Sequence, residues 1–287
     1  MIVEKLAIVG TGLIGGSFSL ALKQAGAVRE VLGVGRNPAS LAVALERGLI
    51  DRAVSWTEAG QADCILLALP VGETAAVLQQ LAPHLKAGAI ITDAGSTKLN
   101  VITAARAALR ARFADFVPGH PIAGSEQSGP GAARADLYQG RKVVLTPQPD
   151  IRADALATVT ALWQAAGAQV ETLDADLHDR VFAAVSHLPH LAAFALVDEL
   201  AQRADGDTFF RFAASGFRDF TRIAGSSPEM WRDIALANRE AVLTELDAYV
   251  AALQTLRSAV SAEDADALRA IFSRAREARN HWMHKKT

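Results

Sequence analysis

Near its start the chain reads "KLAIVGTGLIGGSFSLALKQAG". A short apolar run meets a glycine-rich turn, and a helical pattern follows. An apolar run bounded by glycine reads as a buried strand, and the segment after the turn reads as a helix ending at a glycine. The turn itself carries G-x-G-x-x-G over residues 10–15. Between a strand and a helix those glycines have separate tasks. Gly10 permits the tight turn, Gly12 lets a pyrophosphate reach the backbone, and Gly15 allows close helix–strand packing. Leu13 and Ile14 sit at the helix N-terminus, where unpaired N–H groups and the helix dipole favour an anion. The ligand this turn suits is a dinucleotide.

The rhythm of the first turn continues. Apolar runs "VLGVGR", "ADCILLALP", "GAIITDAGS", "DFVPGHP", "RKVVLTP" and "AQVETL" read as strands. Helical patterns "ASLAVALERG", "TAAVLQQLAPHL", "VITAARAALRARF" and "ADALATVTALWQAAG" stand between them. Such alternation implies a mostly parallel, doubly wound sheet. After about Asp174 the strands stop and only helical patterns remain. The expected fold is α/β, with an N-terminal Rossmann-like doubly wound domain over residues 1–174 and an all-α C-terminal domain over residues 175–287. The Ala, Leu and Val stripes of the second half exceed what one thin layer needs. A homodimer interface uses them, and an intrachain bundle is the competing use.

Composition narrows the partners. The formal net charge of −2 gives no field suited to nucleic acid or to an anionic membrane. The one cysteine, Cys64, allows no intrachain disulfide and reads as a buried thiol. Glu4 and Lys5 interrupt the opening apolar residues, which argues against a signal peptide. No apolar run of about 18 residues is seen, so no membrane span is expected and a cytoplasmic location follows.

Doubly wound folds bind ligands beyond the carboxyl ends of their strands. Arg36 and Asn37, Pro70 and Val71, Asp93 to Ser96, and His120 all fall at such ends. NAD-preferring enzymes place an acid after the second strand, to meet the ribose 2′-hydroxyl. Here Arg36 stands there, and a guanidinium pairs with a 2′-phosphate. NADP is the expected cofactor, and NAD is possible if Arg36 only stacks on adenine. The loop "GHPIAGSEQSG", residues 119–129, carries His120 and Glu126 among glycines and small residues.

The segments "GLIGGS", "DAGSTK", "GHPIAGSEQSG", "SHLPH" and "TRIAGSSPEMWRDI" together resemble the prephenate/arogenate dehydrogenases of tyrosine biosynthesis. The resemblance runs through nearly the whole chain in the right order. It implies oxidation of a cyclohexadienol carboxylate, with hydride passing to NAD(P) and loss of carbon dioxide. It implies His120 as the base on the ring hydroxyl and Ser96 as the serine that orients it. A neutral imidazole, with an ordinary pKa of about 6.5, suits such a base near pH 7. Arg222 is implied at a substrate carboxylate, with Arg218 the second choice. His190 and Ser186 are implied at the substrate, and Trp231 as a wall of the ring pocket. Pro70 and Asp93, at the carboxyl ends of their strands, are expected near the cofactor. Glu126 is expected at the substrate, either pairing with an ammonium or holding the loop. His178, His187 and His190 are loosely spaced for a metal, and none is expected. A beta-hydroxyacid dehydrogenase needs a lysine on the helix containing "SHLPHLAAFALVDEL", which has none. A nucleotide-sensing module needs the glycine turn but not Ser96, His120 and Arg222 together.

Overall fold

A computed structural model of the chain describes residues 1–125 and 127–284. The chain forms two compact units, Met1–Arg239 and Glu240–Thr287.

The first unit is built on β1 (Val3–Val9), α1 (Leu13–Gln24), β2 (Val28–Val34), α2 (Pro38–Glu46), β3 (Arg52–Ala53), α3 (Trp56–Ala59), β4 (Cys64–Leu67), α4 (Thr74–Leu81), β5 (Ile90–Asp93), α5 (Leu99–Leu109) and β6 (Phe116–Val117). The six strands make one parallel sheet in the order β3-β2-β1-β4-β5-β6. That is the doubly wound order expected of a dinucleotide fold. Burial on both faces explains the unbroken apolar runs. Along β1, Leu6 and Ile8 join one core cluster, and Ala7 and Val9 join the other. Along β4, Cys64 and Leu66 face the first cluster while Ile65 and Leu67 face the second. The period-two alternation of a strand thus divides each strand between two layers. Cys64 is fully buried, and burial pushes its thiol up to about 12.

The later strands do not extend this sheet. β7 (Gly119–Pro121), β8 (Lys142–Leu145) and β9 (Gln169–Thr172), with α6 (Ala153–Ala165) between the last two, form a separate three-stranded sheet. β7 runs antiparallel to β8, and β8 parallel to β9. The antiparallel step turns the chain away from the first sheet and leads β7 into the loop after His120.

From Ala175 the first unit is helical: α7 (Ala175–Phe182), one π-helical stretch at Ala183–His187, α8 (Leu188–Ala201), α9 (Gly206–Phe212), α10 (Ser215–Thr221) and α11 (Pro228–Ala237). Strands end where expected near residue 174, but compactness carries the unit on to Arg239. The reason is packing: α11 lies on the 3₁₀ turn Val71–Glu73 after β4, where Val71, Trp231 and Ile234 share a small core. The π stretch also has a local cause. Pro189 has no N–H to give to a carbonyl one helical turn back, and its ring crowds that carbonyl. A wider turn relieves both, and such stretches recur at functional sites.

The run Ala175–Ala201 is long and apolar enough to cross a membrane by length and composition alone, a test that a core helix of a soluble protein also passes. It is a continuous helix of 27 residues with a mean hydropathy of 1.5 over its best window, and 17% of that window is buried. Ala, Leu and Val outweigh Ser186, His187 and His190 in such an average, so no single unbroken apolar run announces it. The second unit contributes α12 (Arg239–Ser261) and α13 (Ala265–His284), which expose Leu243, Val250, Leu253, Val260 and Phe272.

Candidate active site

The glycine turn has the shape its sequence promises. Gly10 adopts φ +97°, and a Cβ there would be driven into the Ala68 carbonyl. A Cβ on Gly15 would strike the Gly10 carbonyl and Ile8. Gly12 is different. Its side faces open space, and the nearest atom is Gly129 Cα at 4.0 Å. The turn therefore keeps clear the one position where a pyrophosphate must approach the backbone, and the end of the His120 loop stands across from it. Leu13 opens α1, and the Ile14 carbonyl accepts from the buried Tyr138 hydroxyl at 2.6 Å. These residues fit a dinucleotide.

Arg36, just past β2, is exposed and pairs with Glu73 on the turn after β4. Asn37 caps α2, its side-chain oxygen accepting from the Ala39 amide at 2.9 Å. Pro70 precedes the 3₁₀ turn Val71–Glu73 and its carbonyl accepts from the Glu73 amide at 2.9 Å.

Asp93 departs from expectation. It ends β5 as anticipated, but its carboxylate points inward and is 2% exposed. It pairs with the buried Lys98 and accepts from the amides of Gly95 at 2.8 Å and Gly119 at 3.0 Å. Lys98 also donates to the Gly119 carbonyl at 2.7 Å. The ion pair thus grips both backbone groups of the residue before the histidine. Both carboxylate oxygens of Asp93 are committed inside the protein, so its side chain supports the His120 strand.

His120 is buried, with its ring against Phe182 at a centroid distance of 4.7 Å. Its Nδ1 lies 2.8 Å from His178 Nε2, and His178 Nδ1 lies 2.8 Å from Asp179 Oδ1. Asp179 also accepts from the amides of Lys98 at 2.8 Å and Leu99 at 2.9 Å, at the start of α5. Burial pushes the Asp179 carboxyl up, but the His178 N–H and these amides outweigh it and hold the group below the usual carboxylate range. An ionised Asp179 accepts only, so His178 Nδ1 is the donor. A neutral His178 then accepts at Nε2, so the proton between the rings belongs to His120 Nδ1. His120 Nε2 is left with a free lone pair. The same logic sets the tautomer of histidine in other hydrolytic and acid–base triads.

Burial pushes the His120 ring well below the ordinary imidazole value, with His178, Lys98 and His187 acting in the same sense. His178 is lowered by burial, though Asp179 opposes it. His187 is lowered by burial to about 4. These values have a consequence for stability. The unfolded chain takes up protons on these rings below about pH 6.5, whereas the folded chain does not. Stability is thus fully present above pH 6.5 and is lost as pH falls toward the lowered values. Thermal unfolding measured from pH 8 to 4 is expected to show a Tm that holds above 6.5 and drops below it. A Tm that stays constant across pH 6.5–4.5 contradicts this reading of the buried rings.

Ser96 is half-buried just past the carboxyl end of β5, and His178 lies within hydrogen-bond distance of the His120 ring. The sequence marks His178 only as one of three loosely spaced histidines and does not single out Asp179. Asn238 completes the support. Its amide donates to the Asp179 carbonyl at 2.8 Å and lies 3.2 Å from His187 Nδ1.

His190 stacks on Trp231, with centroids 3.7 Å apart and planes at 22°. Its Nδ1 lies 2.8 Å from the Ser186 carbonyl, so Ser186 acts on it through the backbone. Trp231 is buried and donates to Ser226 Oγ at 2.8 Å. Burial lowers the His190 ring, and the positive charge of Arg222 adds to that. Arg222 opens a 3₁₀ turn at Arg222–Gly225. Arg218 is exposed on α10. Glu126 lies outside the described residues.

Both halves of the chain match known proteins. Residues 18–172 match the nucleotide-binding domain of prephenate dehydrogenases, and residues 174–274 match the dimerization domain of the same family. A cyclohexadienyl dehydrogenase of Zymomonas mobilis is 38% identical over 221 residues, covering 76% of this chain and 75% of that protein. A prephenate dehydrogenase of Bacillus subtilis is 36% identical over 281 residues, covering 96% and 76%. The crystal structure of prephenate dehydrogenase from A. aeolicus, in complex with hydroxyphenyl propionate and NAD+, superposes with a TM-score of 0.91 at 35% identity. It covers 97% of this chain and 98% of that one. The apolar helix Ala175–Ala201 falls inside the dimerization segment.

Proposed function

The chain belongs to the prephenate dehydrogenase family, and we propose that it oxidatively decarboxylates prephenate, arogenate or both, with His120 as the base. The observation that carries the proposal is the buried chain His120–His178–Asp179, which engages His120 Nδ1 and leaves the Nε2 lone pair to act as the base. It is a dehydrogenase that uses a nicotinamide dinucleotide and works as a homodimer on a small-molecule substrate.

The nicotinamide, when bound, accepts hydride from the hydroxyl-bearing ring carbon. His120 Nε2 takes the hydroxyl proton as that carbon becomes a carbonyl. Breaking the bond to the ring carboxylate releases carbon dioxide and leaves an aromatic phenolate, which takes the proton back from His120 Nε2 to give the phenol and restore the neutral base. The imidazolium formed on His120 keeps its Nδ1–H toward His178, and the ionised Asp179 behind it steadies the new charge. The Lys98–Asp93 pair fixes the backbone at Gly119, so that the ring presents Nε2 to the cleft. Arg222 supplies the guanidinium for a substrate carboxylate, and its planar fork fits two oxygens at once. His190, held flat on Trp231, offers a second polar contact. Aromatisation makes the reaction effectively irreversible.

The test crosses both substrates against both cofactors and follows the absorbance of the reduced nicotinamide. Turnover with prephenate or arogenate supports the reading. Failure of both substrates with both cofactors overturns it. The reading takes the enzyme to be cytoplasmic.

NADP is the proposed preference. A charge-assisted contact from Arg36 to the 2′-phosphate contributes about 1.5–3 kcal/mol, or roughly ten- to more than a hundredfold in affinity. Glu73 already engages this guanidinium, so about tenfold, the lower end, is expected. Arg36→Asp is expected to weaken NADP by about that factor and to spare NAD. Equal losses for the two cofactors, measured as KM at fixed salt, point to adenine stacking and contradict phosphate recognition.

A further inference from the structure

The partner of Arg36 bears on cofactor choice, and the inference rests on the dinucleotide reading above. In the sheet order, β2 and β4 flank β1, whose glycine turn lies between them. Arg36 follows β2, and Glu73 sits on the turn after β4. Their ion pair therefore joins the two strand ends on either side of the glycine turn. The three segments at these ends, residues 10–16, 34–40 and 68–74, contain one carboxylate among them, Glu73.

The two ends of the pair differ in freedom. The Arg36 side chain is 79% exposed, and the Glu73 side chain is 30% exposed. The turn bearing Glu73 is tied to the Pro70 carbonyl, and its Val71 packs on Trp231 and Ile234. The carboxylate is the anchored partner and the guanidinium the movable one.

We propose that Glu73 is the acidic determinant of cofactor choice in this chain, acting from β4 in place of an acid after β2. A carboxylate accepts hydrogen bonds from ribose hydroxyls and repels a phosphate. With NAD the Arg36–Glu73 pair stays intact and neutral. With NADP the 2′-phosphate competes with Glu73 for one guanidinium, and the anchored carboxylate remains beside a dianion. Glu73 thus holds down the preference that Arg36 creates.

The experiment measures dissociation constants of NAD and NADP by calorimetric titration, without substrate, for wild type, Glu73→Gln and Glu73→Ala. Glutamine keeps the shape and removes the charge. Both variants are expected to move the ratio of affinities toward NADP by about tenfold, through tighter NADP, weaker NAD or both. In an Arg36→Ala background the Glu73→Gln shift is expected to shrink, since the phosphate has lost the group both anions compete for. A ratio unchanged within about twofold, or equal loss of both cofactors from a misbuilt turn, overturns the proposal while leaving the dinucleotide site intact. Wild-type protein that binds neither cofactor overturns the dinucleotide reading and this inference with it.

Discussion

His120→Asn is expected to bind both cofactor and substrate and to lose most of its turnover. Asparagine keeps a polar group of similar reach on β7 but cannot accept the proton that leaves the ring hydroxyl. Removing a positioned general base typically costs about 10²–10⁴-fold. The loss belongs in kcat, because the base acts in the transition state and binds the ground state little. The supports of β7, Asp93 with Lys98, do not touch the ring itself, so the strand is expected to keep its place. Rapid-mixing kinetics that return a near-normal kcat for this variant remove His120 from the reaction.

Arg222→Ala carries the second large effect, and it belongs mainly in KM. The guanidinium is proposed to meet a substrate carboxylate whether or not the ring has begun to react. Truncating one partner of a close charge pair costs about 2–5 kcal/mol. Arg222 is exposed in the free chain, so solvent screening favours the lower end, about 2 kcal/mol or roughly thirtyfold in KM. Arg218→Ala is the control. If the KM defect follows Arg218 instead, the carboxylate is read by the helix α10 rather than by the turn after it.

Much of this fold was legible because its signals are local. The glycine turn states its own geometry within six residues, and alternating apolar runs announce strands buried on two faces. The loop that follows His120 is legible for the same reason: its glycines and small residues fit no helical period. What the sequence hid is tertiary. His178 lies 58 positions from His120, and Asp179 lies 80 from Leu99. No spacing rule links such residues, and only the placement of α7 against α5 and β7 brings them together. Asp93 misled for a related reason. A residue at a strand's carboxyl end can turn toward the ligand or into the protein, and Lys98 decides the matter here. The separate sheet of β7, β8 and β9 was hidden because strand order is set by pairing, which sequence order does not reveal.

The central claim is that His120 works as a neutral base, kept neutral by burial. The pH dependence of kcat/KM, compared between wild type and His120→Asn, tests it most directly. A base is competent only above its pKa, and burial lowers this one. The account predicts full wild-type activity from pH 8 down to below about 6.5, then a one-proton decline at lower pH. The residual turnover of His120→Asn is predicted to lack that decline. A wild-type decline centred at or above about 6.5, or the same decline persisting in His120→Asn, contradicts the account.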